Sequence, residues 1–271
     1  MKRKSKAARK TAPKAKRSAA SSLPELHLGA GEDGLRQAIG IMSDGAQPAV
    51  VRAEALRVLQ ASSFGAPDFA AIRGDYIGAL RTISADAEPV MRHHALEILA
   101  LEGDAHAEKV LVAGLRDPEK ALVPAGDALQ YLSNNVHAGV QSLARSIFAS
   151  SDDDGVRQQA LRLMARDPES AKTIQKTLAD KKESSAIRQM SAAALQTLDP
   201  KAMQAFAKKA VMDDSEHKDV VATCLTAMHQ FGDAEAISAN KPLQQRIAGM
   251  RSKGSAQVKQ RAKELAVKYG L

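Results

Sequence analysis

The sequence predicts an all-α fold, a right-handed α-α superhelical solenoid of about seven helical hairpins. Three observations carry this. A nine-residue helical string recurs seven times along 271 residues, the copies are 31 to 40 residues apart, and a second amphipathic segment precedes each copy. The 44% hydrophobic and 26% charged content is that of an ordinary globular chain.

Residues 1–31 stand apart from the repeats. Up to residue 22 they are Lys, Arg, Ala, Ser, Thr and Pro after the first Met, with nothing large and apolar to offset the cost of ordering the backbone. The reading is a disordered basic tail and linker over 1–31, with Gly29 and Gly31 as a hinge, and a repeat region over 32–271.

The first hairpin pairs Leu35, Ala38, Ile39 and Met42 with the string Val51-Arg52-Ala53-Glu54-Ala55-Leu56-Arg57-Val58-Leu59. Its apolar residues Val51, Ala55, Val58 and Leu59 fall on one face of a 3.6-residue period, which a strand would not show. The second hairpin joins 67–84 to Met91-Arg92-His93-His94-Ala95-Leu96-Glu97-Ile98-Leu99, the same string again. The third joins 104–116 to a weaker copy running from Pro124-Ala125 to Leu132. There Pro124 is expected to distort the start of its helix, because it lacks an N–H and clashes with the preceding turn.

The fourth hairpin joins 137–149 to Val156-Arg157-Gln158-Gln159-Ala160-Leu161-Arg162-Leu163-Met164, and the fifth joins 168–180 to the copy begun by Ile187-Arg188. The sixth joins 200–212 to the copy begun by Val220-Val221, and the seventh joins a segment over 233–252, split by Pro242, to the copy begun by Val258-Lys259. Asp117-Pro118, Asp167-Pro168 and Asp199-Pro200 each place a capping carboxylate before a proline tolerated in a first helical turn, and Asp152 to Asp154 precede another helix. Lys263 takes the leucine position of the last copy, as an outer helix facing water would require.

These seven copies resemble the HEAT-repeat family, with its armadillo-type fold, and within it the shorter bacterial HEAT-like branch that includes phycobilisome lyase-type repeats. The resemblance implies a fold and a protein-binding scaffold. It also implies a structural ladder in which the motif arginines Arg52, Arg92, Arg157 and Arg188 bond to aspartates of the preceding turn: Asp44, Asp86, one of Asp152 to Asp154, and Asp180. The ladder breaks at Ala125 and Val221, where the third and sixth units are expected to be bent or loose.

The formal charge of +8 is unevenly spread: nine basic groups and no acid lie in residues 1–22, residues 241–271 carry +7, and 23–240 carry −8. Lys2, Arg3, Lys4, Lys6, Arg9, Lys10, Lys14, Lys16 and Arg17 are therefore the candidate polyanion-binding residues, as sequence-independent contacts to the phosphates of DNA or RNA. A nuclear or other address and a plain solubilising tail are the other readings of this segment. Lys253, Lys259, Arg261, Lys263 and Lys268 form a second, weaker basic patch.

Composition excludes several classes. Three Tyr, five Phe and no Trp leave few side chains to stack on bases or sugars. The single cysteine, Cys224, allows no internal disulfide and no Cys/His metal cluster. No apolar run reaches the roughly 18–20 residues of a membrane span, and the N-terminus lacks a secretory apolar stretch, so the expected location is cytoplasmic, or nuclear in a eukaryote.

Catalytic candidates are weak. His93, His94 and Glu97 share a helix surface but read as solvated or ladder-flanking residues. The iron-dependent hydroxylase built from HEAT-like repeats takes its ligands from His-Glu dipeptides, and this sequence has none. The HEAT-like alkylpurine DNA glycosylase uses a basic groove with aromatics, which the acidic middle does not supply. Glu216 and His217 lie near a helix start, and Cys224 sits at a small core position. The expectation is a non-catalytic scaffold or adaptor without cofactor or metal, binding protein on the solenoid and polyanion through the tail. The alternative is a subunit of a lyase or other cofactor-dependent enzyme of the HEAT-like family. Pairing of the basic ends with the acidic middle of another copy would give salt-sensitive association.

Overall fold

The computed structural model describes residues 26, 28–134 and 138–271. Among them are fifteen α-helices and no strand. In chain order they are α1 (Gly31–Ser43), α2 (Ala49–Ser63), α3 (Phe69–Ile83), α4 (Pro89–Leu101), α5 (Ala105–Arg116), α6 (Ala125–Leu132), α7 (Ala138–Ser150) and α8 (Asp154–Met164). There follow α9 (Ala171–Ala179), α10 (Ser185–Leu198), α11 (Pro200–Met212), α12 (Lys218–Phe231), α13 (Ala234–Ser238), α14 (Lys241–Met250) and α15 (Ala256–Tyr269). Each of the seven motif copies is a helix: α2, α4, α6, α8, α10, α12 and α15.

The chain divides into two compact units, 1–76 and 77–271. In the first, α1 packs along α2, burying Leu35, Ala38 and Met42 against Ala55, Leu56 and Leu59. Phe69 meets Tyr76 edge to face, with ring centroids 5.4 Å apart.

In the second unit the motif helices form a row, α4, α6, α8, α10, α12 and α15 each touching the next. Each helix from α6 onward also packs on a hairpin partner, α5, α7, α9, α11 and α14 respectively. The motif explains this placement. Its fifth residue, Ala95, Ala128, Ala160, Ser191, Cys224 or Ala262, is small and buried, so helices approach closely there. Its ninth, Leu99, Leu132, Met164, Leu195, Met228 or Ala266, is buried as well. The sixth is also buried from Leu96 to Leu225, which makes the apolar stripe wider than the four positions read from the sequence, and only Lys263 of α15 is exposed there.

Helix starts follow local chemistry. Asp104, Asp153, Ser184, Asp199 and Ser255 accept backbone N–H bonds at the starts of α5, α8, α10, α11 and α15. The Asp-Pro pairs at 117 and 167 cap short 3-10 turns at 118–120 and 168–170. Pro242 stands in the first turn of α14, capped by Asn240, so the seventh hairpin has two short helices, α13 and α14, where the others have one.

One expectation is corrected. Pro124 does not distort its helix: it is the N-cap residue of α6, outside the helical turn, where a missing N–H costs nothing and no preceding turn exists to clash with. Pro48 stands in the same place before α2. At the other ladder break α12 runs unbroken, with Val221 buried within it.

Candidate functional site

The motif arginines lie beside the turns inside their own hairpins, and in the second unit these turns form one edge. Arg52, Arg157 and Arg188 each donate Nε to a carbonyl near the end of the preceding helix of their own hairpin: Met42 O at 2.9 Å, Phe148 O at 3.4 Å and Leu178 O at 2.8 Å. These carbonyls belong to last helical turns, where intrahelical donors run out. Arg157 also lies over the Phe148 ring, 4.7 Å from its centroid.

The outer guanidinium nitrogens of Arg157 and Arg188 reach forward to the next hairpin. Arg157 donates to both oxygens of Glu183 at 2.8 and 2.6 Å, and Arg188 to both oxygens of Glu216 at 2.7 Å. The Arg188 and Glu216 side chains are each only 3% exposed. Burial pushes the Glu216 carboxyl up, but the hydrogen bonds and charge of Arg188, with the His217 N–H, outweigh it and leave the group below its ordinary range.

This corrects the partners expected from the resemblance. Asp44 and Asp180 fold back on their own turns, accepting from the Ala46 and Lys182 N–H groups at 2.9 Å. Arg92 takes the main-chain oxygens of Leu122 at 2.7 Å and Asp86 at 2.6 Å, while the Asp86 carboxylate accepts from the Glu88 N–H. One expected pair does form, since Asp154 makes an ion pair with Arg157 at 3.5 Å, but Glu183 stands closer, at 2.6 Å. Asp44 and Asp180 shape their own turns, while Arg157 and Arg188 run along the stack to Glu183 and Glu216, each three residues after an aspartate of the following turn. The spacing Asp180-x-x-Glu183 and Asp213-x-x-Glu216 was the available signal.

A second set of bridges was not foreseen. Arg81 on α3 holds Asp104 at 2.6 Å, and Arg145 on α7 holds Asp167 and, at 2.8 Å, Glu169. Both aspartates also cap the helical turn that follows them, which ties one hairpin to the next. Arg36 on α1 similarly bridges Glu32 and Asp75. The signal here was a capping aspartate 22 or 23 residues after a helical arginine.

Three clefts open on this edge of the second unit. One, of about 270 Å³, lies at the Ala125 break and is lined almost wholly by apolar groups, among them Val110, Leu115, Leu122, Ile147 and Val156. Another, of about 470 Å³, is lined by Arg157, Lys176, Asp180, Glu183 and Asp152. The third, of about 530 Å³, lies at the Val221 break and carries Asp213, Asp214, Lys218, Arg246 and Lys253. There Arg246 reaches Val211 O at 3.0 Å and Asp214 at 2.6 Å. The last turn has Gly254 where the fifth and sixth hairpins have Glu183 and Glu216, and its φ of 124° is a conformation that favours glycine.

The tail residues Lys2, Arg3, Lys4, Lys6, Arg9, Lys10, Lys14, Lys16 and Arg17 lie outside the described residues. Of the C-terminal patch, Lys253 and Lys263 are exposed, Arg261 is paired with Glu264 at 2.8 Å, and Lys268 bonds the His229 carbonyl and lies 5.3 Å from the centre of the Tyr269 ring.

The weak catalytic candidates do not converge. His93 Nδ1 is 3.6 Å from Asp127 and 3.5 Å from the Tyr131 hydroxyl, whose pKa is pushed up to about 12 by burial and the charges of Glu97 and Asp127. Burial pushes the Cys224 thiol up to about 12 as well, with Glu216 adding to it. His217 caps α12, and Glu216 is taken by Arg188. Among the described residues no group of three or more His, Cys, Asp or Glu is placed to hold a metal ion. None of the described helices is long and apolar enough to cross a membrane.

No protein-family model and no curated protein matches the chain. Among solved structures it is similar to human deoxyhypusine hydroxylase in complex with glycerol, with 14% identity, 88% of this chain and 96% of that one covered, and a TM-score of 0.38. A designed armadillo repeat protein is similar over 87% of this chain and 99% of its own, at 16% identity and a TM-score of 0.34. An engineered protein shares 17% identity over 88% of this chain and 68% of its own, with a TM-score of 0.43.

Proposed function

We propose that the chain is a non-catalytic, HEAT-like scaffold or adaptor, whose helical hairpins hold a protein partner while the basic segment 2–17 contacts the phosphates of DNA or RNA. The observation that carries the scaffold half is the turn edge of the second unit. The third, fourth and sixth hairpins there present clefts of different chemistry, apolar at Ala125, mixed at Arg157 and charged at Val221. A surface segmented in this way suits an extended partner read one repeat at a time.

The polyanion half rests on nine cations without an acid in residues 1–22, set before a region of net −8 that would itself repel nucleic acid. The scaffold half is tested by placing a photo-crosslinking residue at Lys176 in one full-length variant and at Gln230, away from the clefts, in another. The reading expects a protein adduct of defined mass from position 176 and a weaker one from 230. It is overturned if neither position, nor a third at Lys253, yields an adduct in the cells that make the protein.

A further inference from the structure

The sixth rung of the arginine ladder takes its cation from the next hairpin. Val221 stands where the motif arginine would, yet Val211 O, ten residues before it, still receives a guanidinium. Arg246 of α14 donates Nε to it at 3.0 Å, as Arg188 does to Leu178 O at 2.8 Å. The two outer nitrogens are placed differently. Arg157 and Arg188 set both on a glutamate five residues before the next motif position, Glu183 and Glu216. In the last turn that place is Gly254, and Arg251 stands where the two preceding turns have Asp180 and Asp213. Residues 251–255, Arg-Ser-Lys-Gly-Ser, contain no acid. Arg246 instead turns Nη2 back to Asp214, a side chain 87% exposed, and its Nη1 makes no hydrogen bond among the described residues.

The cleft of about 530 Å³ at this rung has cations to spare. Asp213, Asp214 and Glu216 line it, but each is already held, by Lys181 at 2.5 Å, Arg246 at 2.6 Å and Arg188 at 2.7 Å respectively. Lys218 and Lys253 line it as well, and both are exposed and unpaired among the described residues. Val221, Met250 and Val258 supply its apolar wall. The rung thus has its guanidinium and its channel but lacks the acid of the following turn.

We infer that this cleft binds a glutamate side chain supplied by a partner peptide. Its carboxylate meets Arg246 Nη1, Lys218 and Lys253, and its stem lies on Val221, Met250 and Val258. It takes the part that Glu183 and Glu216 play from within the chain in the two rungs before. One guanidinium nitrogen and two ammonium groups are charge-assisted donors, which suit a single carboxylate. A nucleic-acid strand fits less well, since it brings a charge with every nucleotide and Asp213, Asp214 and Glu216 beside the site repel the neighbouring ones. The inference rests on the scaffold reading and gives its partner a chemical class.

The test uses the full chain, the capped tripeptides Ala-Glu-Ala and Ala-Gln-Ala, and a short thymidine oligonucleotide, each titrated while the methyl signals of Val221, Met250 and Val258 are followed by NMR. The glutamate peptide is expected to shift these methyls saturably and to bind about tenfold tighter than the glutamine peptide, as charge-assisted bonds require. Lys253→Glu, which supplies an acid within the chain at an exposed position, should abolish binding. Asp214→Asn, which frees the second outer nitrogen of Arg246, should tighten it a few-fold. Equal affinity for the two peptides, undiminished binding to Lys253→Glu, or weaker binding to Asp214→Asn overturns the inference. So does the absence of saturable shifts at these methyls, or tighter binding there by the oligonucleotide, which would make phosphate the occupant. Shifts that grow with protein concentration alone would make a second copy the occupant and overturn it as well. Each of these leaves crosslinking at Lys176 unaffected, so the cleft can fail while the scaffold reading stands.

Discussion

Arg188 and Glu216 form a paired, two-bond bridge between neighbouring hairpins, both bonds 2.7 Å long and both side chains 3% exposed. Arg188 also closes the end of α9 through Leu178 O. One side chain therefore seals its own hairpin and joins it to the next, and the partner left behind by its removal would be a buried, unpaired charge.

Arg188→Ala is expected to destabilise the protein by about 3–5 kcal/mol, the cost of breaking a buried ion pair from one side. Replacing both partners by apolar residues, Arg188→Met with Glu216→Leu, should recover most of that loss. Arg36→Ala, at an exposed pair, should leave stability unchanged within error. Urea denaturation of the four proteins checks the ordering.

Stability should fall with acid, and Glu216 should account for part of the fall. Its folded pKa is lowered, so its contribution is complete above the unfolded value of about 4.3 and is lost as pH drops through the folded value. Asp104, lowered by Arg81 and its capping bonds, and Asp167, lowered by the Ser170 hydroxyl, the Glu169 N–H and then Arg145, each against the opposing effect of burial, add to the same slope. Urea unfolding between pH 3 and 6 should show a shallower pH dependence for Glu216→Gln than for the parent chain.

Asp153 accepts the Gly155 and Val156 N–H groups at 2.7 and 3.1 Å, whereas the side chain of its neighbour Asp152 makes no hydrogen bond or ion pair among the described residues. Asp153→Ala should cost about 1 kcal/mol, and Asp152→Ala less than about 0.5 kcal/mol, in the same denaturation assay.

Cys224 is fully buried and its thiol is pushed up to about 12, so almost no thiolate exists at neutral pH. A disulfide reagent at pH 8 should label it at least 100-fold more slowly in the native chain than in urea. Comparable rates would show that α12 opens readily.

The fold was legible because the motif repeats its burial pattern: the alanine at its fifth position recurs often enough that Cys224 and Ser191 could be placed by register. The bridges of Arg145, Arg157 and Arg188 were less legible because they join residues 22 to 28 apart in neighbouring hairpins, and aspartates nearer the motif, such as Asp44 and Asp180, compete for attention while shaping their own turns. Pro124 was misread for a simpler reason. A proline one residue before a helix and one inside it look alike in sequence, and the φ-restricted ring is harmless only in the first place. The Ala125 cleft had no signal beyond the missing arginine, since its walls come from α5, α7 and α8 as well as from the motif.

The most direct test of the functional account is binding of random-sequence duplex DNA and of RNA between about 50 and 200 mM salt, by the full chain and by a version lacking residues 1–22. The account predicts tight, sequence-independent binding by the full chain with a steep salt slope, and loss of most of it on truncation. Binding that survives truncation, or no binding by either version at 50 mM salt, would contradict it.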